Sequence, residues 1–104
     1  MFYKLEENIP VKCNNGHEWA EWFENAGERR VVAQDEIGDF LVSTVFIGVD
    51  PTASIDPALP LLFETLIFEN GKSVGNKGLY PTWMMAEVGH KRAVLWVRNS
   101  GKAA

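Results

Sequence analysis

Two apolar runs of this sequence are interrupted at their centres by polar residues, Ser43 and Thr44 within LVSTVFIG and Glu64 and Thr65 within LLFETLIFE. On a strand, alternate side chains face opposite sides. Glu64 therefore shares a face with Leu62, Leu66 and Phe68, and Ser43 shares one with Leu41, Val45 and Ile47. A carboxylate or hydroxyl in an apolar row needs a hydrogen-bond partner, water or a ligand, because burying it unpaired costs several kcal/mol. Two readings stay open. Either these residues lie on a wet sheet face, or they form a site for a ligand or partner.

His90 is the third kind of group that could do chemistry. It falls inside the apolar stripe of the last helical segment, next to Gly89, whose missing side chain permits close approach of another backbone. Ser43, His90 and Glu64 could nominally supply a nucleophile, a base and an orienting carboxylate. A chain of this length holds such a trio by chance, and no nucleophile elbow, phosphate-binding loop or dinucleotide fingerprint accompanies it. Trp83 and Trp96 read as core or as the wall of a pocket, whereas Trp19 and Trp22 read as core. Cys13 and His17 have C-x-x-x-H spacing, but two ligands without a second pair do not make a metal site. The residues carried forward as candidates for binding are Ser43, Thr44, Glu64, Thr65, Trp83 and His90, with no catalytic residue, metal or cofactor assigned.

The elements that must position them follow from periodicity. Asn15 with Glu18 three residues later resembles a capping box, and Trp19, Trp22, Phe23 and Ala26 then recur at helical spacing until Gly27. This predicts a helix over 16–26. Residues 2–5 and 9–13 read as short extended pieces around Glu6-Glu7-Asn8. From Arg29 the pattern turns to strands: RRVVAQDEI, then DFLVSTVFIGV beyond the Gly38-Asp39 turn, then LPLLFETLIFE up to the strong turn pair Asn70-Gly71. The Pro-containing stretch from Asp50 to Pro60 reads as a loop, and KSVGNKGLY as a mobile hairpin or a weak edge strand. Thr82 then caps a second helix over about 83–98, with Trp83, Ala86, His90, Ala93, Val94 and Val97 on one face and a stop at Asn99-Ser100-Gly101. The fold expected is α+β: one domain over residues 1–104, with an antiparallel meander of three to four strands packed against two helices. Because both faces of the central strands carry apolar residues, helices on both sides or a second subunit should cover them, which predicts a homodimer.

The composition narrows the function classes. With 104 residues the chain has room for one core. A net charge of −4 with scattered Lys and Arg argues against non-specific nucleic-acid binding. A lone cysteine fits a reducing compartment. The charged N-terminal segment and the absence of a long apolar run predict neither usual export nor membrane embedding.

The blocks EWAEWFENAGERRVV, VSTVFIGVD, PLLFETLIFE and YPTWMMAEVGH together resemble a family of small, functionally uncharacterised proteins of tailed bacteriophages and prophages. The family pattern falls on Trp19, Trp22, Phe23 and Glu24, on Val42 to Phe46 with Gly48 and Asp50, and on Leu62 to Thr65 with Phe68. It ends on Tyr80, Thr82, Trp83, Gly89 and His90. Two segments depart from it: the loop after Asp50 lacks a histidine and a glycine-rich run, and the last helix opens TWMMAE where the family has a run of acids. The resemblance implies a phage or prophage origin and action in the bacterial cytoplasm or in virion assembly, and it carries no activity to transfer. The expected function is that of a non-catalytic accessory protein acting by binding in the host cytoplasm, countering host defence by sequestering a host protein or a small nucleotide ligand. A minor virion or morphogenesis component is the first alternative and a small hydrolase the second.

Overall fold

The structure, a computed structural model, describes residues 1–52 and 59–103. Strands β1 (Tyr3–Glu6) and β2 (Ile9–Lys12) form a two-stranded antiparallel hairpin. Its turn places Glu7 (φ 52°) and Asn8 (φ 68°) consecutively in the left-handed region, as a two-residue turn matching strand twist requires. The hairpin is tied to the main sheet where the Tyr3 amide donates to the Gly48 carbonyl at 2.8 Å.

Helix α1 (Gly16–Ala26) starts where the capping signal places it. The Asn15 side chain accepts from the Glu18 amide at 2.9 Å, and the Glu18 carboxylate accepts from the Asn14 amide, also at 2.9 Å. The reciprocal bond thus lands one residue before the cap, with the same effect of satisfying otherwise unpaired amides. Its apolar stripe buries Ala26 and sets Trp22 edge-on to Phe46, ring centroids 5.7 Å apart. Gly27 (φ 54°) ends it and opens a 3-10 turn (Gly27–Arg30) not anticipated from the strand-like RRVV run. Arg29 spends its guanidinium there on the carbonyls of Asn25 and Ala26, the unpaired acceptors of the helix end.

The main sheet is a meander of β3 (Val31–Ile37), β4 (Phe40–Phe46), β5 (Phe63–Glu69) and β6 (Lys72–Tyr80), all neighbours antiparallel. Asn70 (φ 52°) and Gly71 (φ 81°) make the β5–β6 turn that the Asn-Gly pair predicts. KSVGNKGLY is the edge strand rather than a loose hairpin, and register irregularities opposite Thr65–Leu66 and Ile67–Phe68 each take up one extra residue of β6, while Gly75 and Gly78 stay paired with Ile67 and Thr65. Much of the loop predicted between Asp50 and Pro60 lies outside the described residues. Its ends are held together by the Asp50 carboxylate, which accepts from the Thr52 amide and hydroxyl and from the Leu61 amide at 3.0 Å.

Helix α2 (Trp83–Ala103) is capped by Thr82, whose hydroxyl accepts from the Met85 amide at 3.1 Å, and it crosses all four strands of the sheet. It passes through the predicted stop at Gly101. A glycine within a helix costs only about 1 kcal/mol, and Lys102 and Ala103 after it are good helix formers. The core beneath α2 falls into two apolar clusters. One joins Leu5, Phe46, Leu62, Phe63 and Ala86; the other joins Val42, Ile67, Ala93 and Val97. Among the described residues no helix lies on the opposite face of the sheet, so the expected alternative of helices on both sides is not what the chain builds.

Candidate functional site

Between the two apolar clusters runs a polar layer. On β4 the inward residues are Val42, Thr44 and Phe46; on β5 they are Ile67, Thr65 and Phe63; on α2 they are Ala93, His90 and Ala86. Each element contributes its middle residue. Antiparallel pairing sets Thr44 directly across from Thr65, and the helical period brings His90 over them.

The contacts are continuous. Thr44 Oγ1 lies 2.6 Å from Thr65 Oγ1 and 2.7 Å from His90 Nδ1, and His90 Nε2 lies 2.7 Å from Asp35 Oδ2. Both threonines have no exposed surface and His90 is 3% exposed, while the Asp35 side chain is 51% exposed at the sheet edge. A carboxylate accepts only, so in the neutral imidazole the ring hydrogen is assigned to Nε2. Nδ1 then accepts from Thr44 and Thr44 accepts from Thr65, and every hydrogen in the layer has a destination. This is a chain of carboxylate, imidazole and hydroxyl, the constituents of a nucleophilic relay, but with the hydroxyl end sealed. A reacting atom would have to come within about 3 Å of Thr44 Oγ1, and the packing of the flanking clusters leaves no path.

Three of the six candidates, Thr44, Thr65 and His90, are therefore brought together, and three are not. Ser43 points to the opposite sheet face, where its hydroxyl accepts from Gln34 Nε2 at 2.9 Å. Glu64 is half-buried on that same outward face, across from Val45 and Leu79. Trp83 packs edge-on to Phe63, with centroids 6.1 Å apart, and borders a cavity of 290 Å³ with Trp22. The nominal trio of Ser43, His90 and Glu64 does not assemble, because strand alternation puts the first and last behind the sheet from the imidazole. The space beside Gly89 is filled by the Tyr80 ring rather than by another backbone.

Two participants were not singled out from the sequence, Asp35 and Gln34. A signal for both existed: a two-residue turn at Gly38-Asp39 pairs Ile37 with Phe40, hence Asp35 with Val42 and Gln34 with Ser43. Asp35 then shares the inward face with Thr44, and Gln34 the outward face with Ser43. The C-x-x-x-H pair does not form a site either, since the Cys13 thiol is buried and the His17 side chain is 90% exposed. Burial pushes the Cys13 thiol up from its ordinary pKa, keeping it protonated and unreactive. Among the described residues no group of three or more His, Cys, Asp or Glu is placed to hold a metal ion, and no helix is long and apolar enough to cross a membrane.

The outward sheet face carries a different kind of surface. Rows across β4 and β5 pair Leu41 with Phe68, Ser43 with Leu66 and Val45 with Glu64, flanked by Gln34 and Glu36 on β3. At one end it dips into a cavity of 330 Å³ lined by Glu36, Asp39, Phe40, Leu41 and Phe68 with two glycines. Apolar side chains alternate there with groups that accept or donate hydrogen bonds. Comparison with protein-family models, with curated proteins and with solved structures returns no match for the chain.

Proposed function

We propose that the chain is a non-catalytic bacteriophage accessory protein that acts in the bacterial cytoplasm by binding a host protein through the outward face of its four-stranded sheet. The resemblance of its sequence blocks to phage proteins supports the origin. The observation that carries the mode of action is the outward face itself, with Leu41, Val45, Leu66 and Phe68 half-buried around Ser43, Gln34 and Glu64. The groups with catalytic potential are sealed inside the core and bonded to one another, whereas this face is where recognition chemistry meets the surface. A host protein fits better than a nucleotide, because the cavity at its end is bordered by Glu36 and Asp39, which repel phosphate.

The test is affinity capture of tagged chain from infected cells, with Leu66→Glu as the comparison. A host protein that copurifies with the native chain and is lost with Leu66→Glu, while the melting temperature holds, is the expected result. Capture unaffected by Leu66→Glu overturns the choice of face. A nucleotide released on denaturing the purified chain would replace the protein partner with a small ligand, and recovery of the chain in purified virions would replace the accessory role with a structural one.

A further inference from the structure

Helix α2 is apolar on two sides. One side, with Ala86, His90, Ala93 and Val97, is buried against the sheet. On the opposite side Met84, Met85, Val88, Leu95 and Trp96 are between 47% and 73% exposed. At about 100° per residue these five positions span an arc of about 120°. A groove of 520 Å³ runs along this side, walled by Met85, Val88, Arg92, Trp96 and the Tyr80 ring that lies across Gly89. A helix that only covered a sheet would present polar residues here. Glu87, Lys91 and Arg98 are instead displaced to one flank of the arc.

The order of residues along the arc indicates what covers it. Its positions 84, 85, 88, 92, 95 and 96 are symmetric about residue 90. A second copy of α2 packed antiparallel across a two-fold axis at that level sets Met84 against the partner subunit's Trp96 and Met85 against the partner subunit's Leu95. Val88 then meets the aliphatic stem of the partner subunit's Arg92. The charges agree with this orientation. Glu87 comes within about 3 Å, measured along the axis, of the level of both basic residues that follow it in the partner's sequence, given a rise of 1.5 Å per residue. A parallel pair would stack Arg92 on Arg92 and Glu87 on Glu87.

We propose that the outer face of α2 is the seam of an isologous homodimer in which two copies pack antiparallel through Met84, Met85, Val88, Leu95 and Trp96. This surface is separate from the outward sheet face, so dimerisation and host-protein binding fail independently. Sedimentation velocity on the purified chain at tens of micromolar should give twice the chain mass, and Val88→Glu should give a monomer with an unchanged far-UV circular dichroism spectrum. Glu87→Arg should weaken association at least tenfold, and adding Lys91→Glu and Arg92→Glu in the same chain should restore it. Orientation is read by cross-linking: Met84→Cys and Trp96→Cys chains form a disulfide when mixed and oxidised, and neither does so alone, while the buried Cys13 stays silent. A monomer at hundreds of micromolar, a dimer that survives Val88→Glu, or efficient cross-linking of Met84→Cys alone would overturn the proposal. Should Val88→Glu fail to fold, Leu95→Arg serves the same purpose at a residue equally remote from the core.

Discussion

Thr44 holds the central place in the buried layer because it bonds two partners at once, and its neighbours differ in what they lose without it. Thr44→Val strands His90 Nδ1 without a donor and the Thr65 hydroxyl without an acceptor. Unpaired buried groups cost about 1–3 kcal/mol, so urea denaturation should show a loss in that range. Thr65→Val removes a donor to Thr44 but leaves the Thr44–His90 bond intact, and should cost less than about 1 kcal/mol. Equal costs for the two variants would contradict the direction assigned to the bonds. Cys13 offers a second check at this scale. Its burial and raised pKa predict that a thiol reagent reacts with the folded chain only at the rate at which the chain opens, and promptly in denaturant.

Caps and close approaches set the limits of the elements. Asn15→Ala removes the acceptor for the Glu18 amide and should lower stability by about 1 kcal/mol, read from the denaturation midpoint. Gly89 is constrained by contact rather than by backbone angle. A methyl group there would collide with the Tyr80 ring, so Gly89→Ala should destabilise the chain although alanine is the better helix former. Combining it with Tyr80→Leu should recover part of the loss, and simple additivity of the two changes would show that the collision is not the cause. Gly48 is fixed twice over, by φ of 74° and by the Trp19 indole and Tyr3 carbonyl pressed against it where the hairpin joins the sheet.

The response of the whole molecule to acid follows from two carboxylates that close long connections. Amide and hydroxyl bonds from Leu61 and Thr52 hold Asp50 below the usual carboxylate range, and the Asn14 amide and Lys4 do the same for Glu18. A folded-state pKa below the unfolded value means stability that is fully present above the ordinary carboxylate range of about 4 and is lost as pH falls through the lowered values. The melting temperature should therefore hold from neutral pH to about pH 5 and decline as pH falls through about 4 and below, and Asp50→Asn should flatten the decline. An unaltered slope in that variant would show that Asp50 does not carry the linkage. Lys4 is raised by its bond to Glu18, so its contribution is present below the ordinary lysine range and fades only at more alkaline pH.

Local signals in the sequence determined the α+β class, the first helix at 16–26, the caps at Asn15 and Thr82, the hairpin turns at Gly38-Asp39 and Asn70-Gly71, and the buried stripe of the second helix around His90. Each of these depends on contacts within a few residues, where steric and hydrogen-bond preferences act directly. Within β4 and β5 strand alternation gave the faces of Ser43 and Glu64, but Leu62, expected beside Glu64, lies just before β5 where the alternation has not begun and is buried with Phe46, Phe63 and Ala86 instead. Only the tertiary structure decided which sheet face α2 covers. That choice buried Thr44 and Thr65 under His90, left Ser43 and Glu64 outside, and recruited Asp35 from a strand 55 residues away in sequence. The same choice converted a central polar quartet into two separate features, a sealed layer and an outward face. The physical reason is that both faces of these strands are apolar enough to bury, so the pattern fixes the alternation but not its sign, and the sign is set by packing between distant elements.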